Sequence, residues 1–130
     1  MAHIEHVALW CNDLETLTEF YVTHFGATAG PQYTNPHRGF RSRFLELDGG
    51  TRLELMTLMQ GVGAASASAV PTAGFAHIAF GLGSEAAVDA ATERLRAAGR
   101  PVVDGPRRTG DGYYETVVLD PEGNRLELTI

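Results

Sequence analysis

The chain is poor in the features that announce a compartment or a polymeric partner. Its 130 residues include one cysteine, Cys11, so no internal disulfide can form. Cys11 ends an apolar, strand-like run and reads as a buried small hydrophobe rather than a nucleophile. Ten Lys and Arg stand against sixteen Asp and Glu, giving a formal net charge of −6, and the cations form no run or stripe. That excludes a nucleic-acid backbone as partner, because binding one rests on displacing its counterions. No apolar stretch approaches the roughly 18 residues needed to cross a bilayer. The start, MAHIEH, lacks the basic-then-apolar order of a secretory leader. The expectation is a cytoplasmic protein with neither a nucleic-acid nor a membrane partner.

What is present is ordinary globular material, 44% hydrophobic and 20% charged, enough for one compact domain or two small halves. Residues 3 to 11, HIEHVALWC, have strand character. Asp13 then offers an N-cap to LETLTEFYVTHF, where Leu14, Leu17, Tyr21 and Phe25 recur at helical spacing before Gly26 stops the run. Strands follow near residues 27 to 34, 40 to 47 and 51 to 58, the last two separated by DGG. Residues 60 to 73 are rich in Gly, Ala and Ser and read as a flexible surface connection. The order then begins again. FAHIAFGL at 75 to 82 is a strand, Ser84 caps EAAVDAATERLRAAG, and strands follow near 101 to 107, 113 to 119 and 125 to 130. The reading is an α+β chain of two β-α-β-β-β modules in a single 130-residue domain, module one about 1–59, linker about 60–73 and module two about 74–130.

The two modules repeat more than their order of elements. EHVALW lies on AHIAFG, and RLELM lies on RLELT. His6 and His77 are 71 positions apart and Glu54 and Glu127 are 73 apart, the small slip that a duplicated unit with one altered loop leaves behind. Strand side chains alternate faces, so each module owns one face carrying an imidazole and a carboxylate. Brought together, His6, Glu54, His77 and Glu127 make a nitrogen–oxygen donor set suited to nickel, cobalt, zinc, iron or manganese rather than to calcium. Taken singly, each residue has an ordinary explanation as a hydrogen-bonded strand histidine or the wet side of an amphipathic strand. Four of them at matching positions of a repeat favour the metal reading. His3, His24 and His37 have no repeat partners and are expected at the surface.

These residues carry a resemblance. The chain resembles the vicinal oxygen chelate superfamily, the group of glyoxalase I, bleomycin resistance proteins and extradiol dioxygenases. The likeness runs over essentially the whole sequence and includes DPEGNRLEL, which is similar to that group's frequent turn before a ligand-bearing strand. It implies paired modules whose sheets curve into a partly closed barrel around a metal. The ligand pattern of glyoxalase I, a His or Gln followed by Glu, His and Glu, is matched one by one by His6, Glu54, His77 and Glu127. Dioxygenases of the group generally use two His and one Glu, bleomycin-binding members use no metal, and methylmalonyl-CoA epimerase usually has Gln at the place of Glu54.

The resemblance therefore implies a metal-dependent lyase of the lactoylglutathione lyase type, which isomerises a thiohemiacetal through a metal-chelated enediolate. Glu127 is implied as the base and Glu54 as the opposing catalytic ligand. Nickel or cobalt is implied ahead of zinc, manganese or iron, and a homodimer in which His6 and Glu54 of one chain meet His77 and Glu127 of the other. The alternatives on the same scaffold are an epimerase of the methylmalonyl-CoA type, a dioxygenase, or a metal-free drug- or metabolite-binding protein. For the substrate, a thiol conjugate or CoA ester, Arg38, Arg41, Arg43, Arg107 and Arg108 are candidate cations, each with an ordinary reading as a solubilising surface charge. Tyr113 and Tyr114 are candidate lining residues; on a regular strand they face opposite ways, so at most one serves.

Overall fold

A computed structural model describes residues 1–64 and 70–130; the part of the expected connection at residues 65–69 lies outside the described residues. The chain divides into two compact units, Met1–Ala64 and Ala65–Ile130. The first runs β1 (His6–Trp10), α1 (Leu14–Phe25), β2 (Thr28–Asn35), β3 (Phe40–Glu46) and β4 (Arg52–Leu58). The second runs β5 (Ile78–Gly81), α2 (Glu85–Ala97), β6 (Val102–Arg108), β7 (Tyr114–Leu119) and β8 (Arg125–Thr129). Both units thus have the β-α-β-β-β order of the repeat.

In the first unit α1 begins where the Asp13 carboxylate accepts from the Thr16 N–H at 2.9 Å and the Thr16 hydroxyl at 2.8 Å. Those bonds, the backbone N–H first, hold the Asp13 carboxyl below the usual carboxylate range. The helix ends at Gly26, whose φ of 66° suits a residue without a Cβ and whose N–H donates to the Tyr21 carbonyl. The sheet order is β1-β4-β3-β2, with β1 parallel to β4 and the other pairs antiparallel. Leu14, Leu17, Phe20 and Tyr21 of α1 are buried with Leu53, Leu55 and Thr57 of β4 and Leu45 of β3. The alternate residues of β4, Arg52, Glu54, Met56 and Leu58, stand on the other face and are only partly covered. Cys11 is fully buried with its thiol directed at the Met56 carbonyl, as a small core residue.

The second unit repeats this with order β5-β8-β7-β6 and β5 parallel to β8. Ser84 accepts from the Ala87 N–H at 3.1 Å to start α2. Val88, Ala91, Thr92 and Leu95 are buried with Leu126 and Leu128 of β8 and Thr116 and Val118 of β7. The Thr92 hydroxyl donates to the Val88 carbonyl at 2.8 Å and lies 3.0 Å from the Thr116 hydroxyl, so neither polar group is stranded in that core. The DPEGN turn is built by Asp120. Its Oδ1 accepts from the N–H groups of Glu122 and Asn124, both at 2.9 Å, and its Oδ2 from the Asn124 side-chain amide at 2.8 Å. Gly105 is required where β6 passes β7, since a Cβ there would sit 2.6 Å from the Glu115 carbonyl oxygen.

Neither sheet closes on itself; β1 and β2 are the edge strands of one, β5 and β6 of the other. The first strands are shorter than residues 3–11 and 75–82, because their ladders begin at His6↔Arg52 and Ile78↔Leu126. Among the described residues no helix is long and apolar enough to cross a membrane.

Candidate metal centre

In the first unit His6 opens β1 and Glu54 sits mid-β4, one position diagonal from it, since Ala8 is the residue directly opposite Glu54. The His6 Nε2 lies 3.5 Å from the Glu54 Oε2. In the second unit His77 immediately precedes β5 and Ala79 is opposite Glu127. The His77 Nε2 lies 3.4 Å from the Glu127 Oε2. The repeat therefore extends to the same ring nitrogen, the same carboxylate and nearly the same separation. The glutamates are mostly covered while the histidines are the more open partners.

Both separations are longer than the roughly 2.7–3.2 Å of an ordinary N–H···O bond. They match two donors on one small cation, whose arms of about 2.1 Å place neighbouring donors about 3.0 to 3.4 Å apart between right and tetrahedral angles. The His6 Nδ1 is hydrogen-bonded to the Glu5 carboxylate, which only accepts, so Nδ1 carries a proton and Nε2 is the nitrogen turned toward Glu54.

His6 is held in this orientation by a closed ring of contacts. Glu5 is also ion-paired with Arg52, the residue opposite His6 on the ladder. The Arg52 guanidinium lies 4.3 Å from the centre of the Phe44 ring, and Phe44 meets the His6 imidazole edge-on at 5.3 Å. Hydrogen bonding to His6, then to Arg52, holds the Glu5 carboxyl below its usual range. The second unit has Ala76 at the place of Glu5, so its histidine has no carboxylate from that position.

What the second unit has instead is Glu115 on β7, diagonal to Glu127 on the same face. Its carboxyl is pushed up, first by burial and then by the charge of Glu127, to which it is hydrogen-bonded. Arg107 approaches Glu115 at 3.7 Å and donates to Asp104 at 2.7 Å. Neither Glu5 nor Glu115 stood out in the sequence. The adjacency of Glu5 to His6 and the shared parity of Glu115 with Tyr113 were the only signals.

The remaining candidates divide by face. Arg41 and Arg43 alternate with Ser42 and Phe44 on β3, which puts them on the helix side, away from Glu54. Arg41 pairs with Glu15 of α1 at 3.2 Å, and Arg43 donates to the Gly30 carbonyl at 3.0 Å. Arg38 lies in the turn before β3, 5.8 Å from the Phe40 ring centre. Arg108 pairs with Glu85, and the Tyr114 hydroxyl donates to Asp89 at 2.5 Å, so both serve the α2 side. Tyr113 is exposed and has the parity of Glu115. His3 and His37 are exposed, whereas His24 is half-buried with its ring 5.1 Å from that of Phe20. Among the described residues no three His, Cys, Asp or Glu side chains gather into one group able to hold a metal ion; each unit supplies one pair.

Residues 3–128 match the Glyoxalase/Bleomycin resistance protein/Dioxygenase superfamily. No curated protein matches the chain in sequence. Among solved structures, a glyoxalase family protein from Enterococcus faecalis is 26% identical with a TM-score of 0.81, over 98% of this chain and 97% of that one. A lactoylglutathione lyase from Agrobacterium tumefaciens is 26% identical with a TM-score of 0.70, over 99% and 93%. The trypanothione-dependent glyoxalase I of Leishmania major shares the fold, with a TM-score of 0.78 and 22% identity over 99% and 86%.

Proposed function

The chain belongs to the Glyoxalase/Bleomycin resistance protein/Dioxygenase superfamily, and from that premise we propose that it is a metal-dependent glyoxalase-like lyase acting on a small thiohemiacetal. The observation that carries the reading is the duplicated pair, a His Nε2 beside a Glu Oε2 at 3.5 and 3.4 Å. Two such pairs make a complete four-donor set when the first unit's pair meets the second unit's pair of another copy in a homodimer. His6, Glu54, His77 and Glu127 would hold the cation, with nickel or cobalt favoured. A cation bound there would supply Lewis acidity to the substrate carbonyl chemistry. Glu127 takes the proton from the carbon beside the carbonyl and returns it to the neighbouring carbon, and Glu54 is chiefly a holding ligand. Glu115, buried against Glu127, keeps its own proton to higher pH and donates a hydrogen bond that fixes the carboxylate.

The test begins with protein purified without chelator, assayed for metal and then reconstituted with nickel, cobalt or zinc. Its activity is measured on the hemithioacetal of methylglyoxal and glutathione. At equal metal occupancy, Glu127→Gln should lower turnover by about 100- to 10,000-fold, the usual contribution of an acid–base group, with Glu54→Gln milder. Wild-type protein that takes up no metal, or a fully loaded Glu127→Gln variant at wild-type rate, would overturn the reading.

A further inference from the structure

Aspartate followed by glycine is a step at which a peptide chain can rearrange without an enzyme. Glycine carries no side chain to shield its amide nitrogen from the aspartate carboxyl just before it. The sequence holds three such steps, Asp48–Gly49, Asp104–Gly105 and Asp111–Gly112. All three aspartates are exposed, so exposure does not separate them. Their partners do.

Asp104 lies in β6 and accepts from the Arg107 Nε at 2.7 Å. That bond, with a lesser one from the Gly105 N–H, holds its carboxyl below the usual carboxylate range, and an ionised carboxylate has no hydroxyl to lose as water. The backbone is crowded as well, since a Cβ on Gly105 would meet the Glu115 carbonyl oxygen at 2.6 Å. At the tip of the β6–β7 hairpin the Asp111 carboxylate accepts from the Thr109 hydroxyl, and the Gly112 N–H donates to the Thr109 carbonyl at 3.0 Å. Both reacting groups of that step are engaged. In the β3–β4 turn neither is. Among the described residues the Asp48 carboxyl has no hydrogen bond or ion pair and the Gly49 N–H has no acceptor. Gly49 stands at φ 90° with nothing within 4 Å of where a Cβ would lie. The turn is closed by its neighbours instead, through Leu47 N–H to the Thr51 carbonyl at 3.0 Å and Gly50 N–H to the Leu47 carbonyl at 3.1 Å.

We propose that Asp48 is a self-modification site, at which the chain converts aspartate to isoaspartate and opens the β3–β4 turn. The Gly49 nitrogen gives up its proton and bonds to the Asp48 Cγ, while the carboxyl hydroxyl leaves as water and a cyclic imide closes. Water then adds back. Opening at the side-chain carbonyl restores aspartate. Opening at the main-chain carbonyl breaks its bond to the Gly49 nitrogen and leaves a free α-carboxylate, with the chain now running through Cβ and Cγ. Water lost is water regained, so mass is unchanged and no other reactant is needed. The main chain is one carbon longer inside a turn that joins Glu46 directly to Arg52 across the ladder. The two bonds that close the turn span that added carbon.

The test ages the full-length protein in neutral buffer and locates isoaspartate by electron-transfer fragmentation of its peptides. Isoaspartate should accumulate at Asp48 about ten-fold faster than at Asp111, the rate equivalent of the one hydrogen bond that Gly112 must first break. Asp104 should be slower still. Asp48→Glu keeps the charge in the exposed turn but would have to close a larger, slower-forming ring, and should abolish the signal there. Thr109→Val removes the hydroxyl that holds Asp111 and should quicken that step alone. Amide exchange in aged protein should speed up at Leu47 and Gly50, whose N–H groups close the turn. Equal accumulation at Asp48 and Asp111, or none at Asp48, overturns the site. Isoaspartate at Asp48 with Leu47 and Gly50 exchanging as before overturns the opening of the turn.

Discussion

Removing the Glu5 side chain separates the two histidines, which the repeat makes look equivalent. Glu5 supplies the acceptor that fixes the proton on the His6 Nδ1 and is itself held by Arg52. In Glu5→Ala the Nδ1 proton loses its acceptor, and the Nε2 lone pair is no longer assured to a bound cation. Outer partners of metal-bound histidines usually matter by about 10- to 100-fold in metal affinity. Glu5 is 52% exposed, so water replaces part of what it gives and the expected loss lies at the weaker end, about ten-fold. Phe44 still meets the ring edge-on at 5.3 Å, which keeps the imidazole from swinging away altogether.

The assay has two arms. Competition against a chromophoric chelator gives the loss in metal affinity. Nitrogen NMR of the metal-free protein gives the tautomer of each imidazole without reference to activity. The His6 signals should shift from one tautomer toward a mixture, and those of His77, whose preceding residue is Ala76, should not change. Arg52→Ala should produce the same pattern more weakly, because Glu5 remains. If Glu5→Ala keeps both the Nδ1-protonated form of His6 and the wild-type metal affinity, the ring of contacts is ornament and the argument for a cation beside the Nε2 loses its support.

Other consequences are open to simpler measurements. Burial and the Glu127 charge raise the Glu115 carboxyl, so its favourable contribution is whole below the ordinary carboxylate value of 4.5 and is lost as pH rises through the raised folded value. Metal-free wild-type protein should therefore lose thermal stability relative to Glu115→Gln as pH climbs above that window; parallel melting curves would refute it. Asp120 is buried and accepts three hydrogen bonds in the turn ahead of β8, so Asp120→Ala should cost about 2–4 kcal/mol in urea denaturation. A smaller loss would mean that water satisfies those donors.

What the sequence disclosed and what it hid follow from how far each feature depends on neighbours. Helix α1 was legible to its ends because its signals are local, Asp13 at one side and Gly26 at the other. The His and Glu pairs were legible because period-two alternation and an internal repeat need only the chain's own numbering. The starts of β1 and β5 were not, since a strand begins where its ladder begins, and those ladders are set by Arg52 and Leu126 some fifty residues on. Glu5 was missed for the same reason, as its partner Arg52 is adjacent only across the sheet.

Face assignment shows the limit more sharply. Arg41 and Arg43 belong to a strand of regular alternation, and counting from Phe44, opposite Glu54, already sends them to the helix side. Arg107 cannot be placed by counting. The register of β6 on β7 shifts between Asp104 and Arg107, so two residues three apart come to share the Glu115 face. That shift is what sets a cation opposite Glu115, in the row where the first unit has Tyr33 opposite Ser42. A repeat read from sequence reveals what the halves have in common, which here is the donor pair. The rows beside the donors lie on strands whose sequences no longer align, and only the ladders bring Trp10 into correspondence with Gly81 and Tyr33 with Arg107.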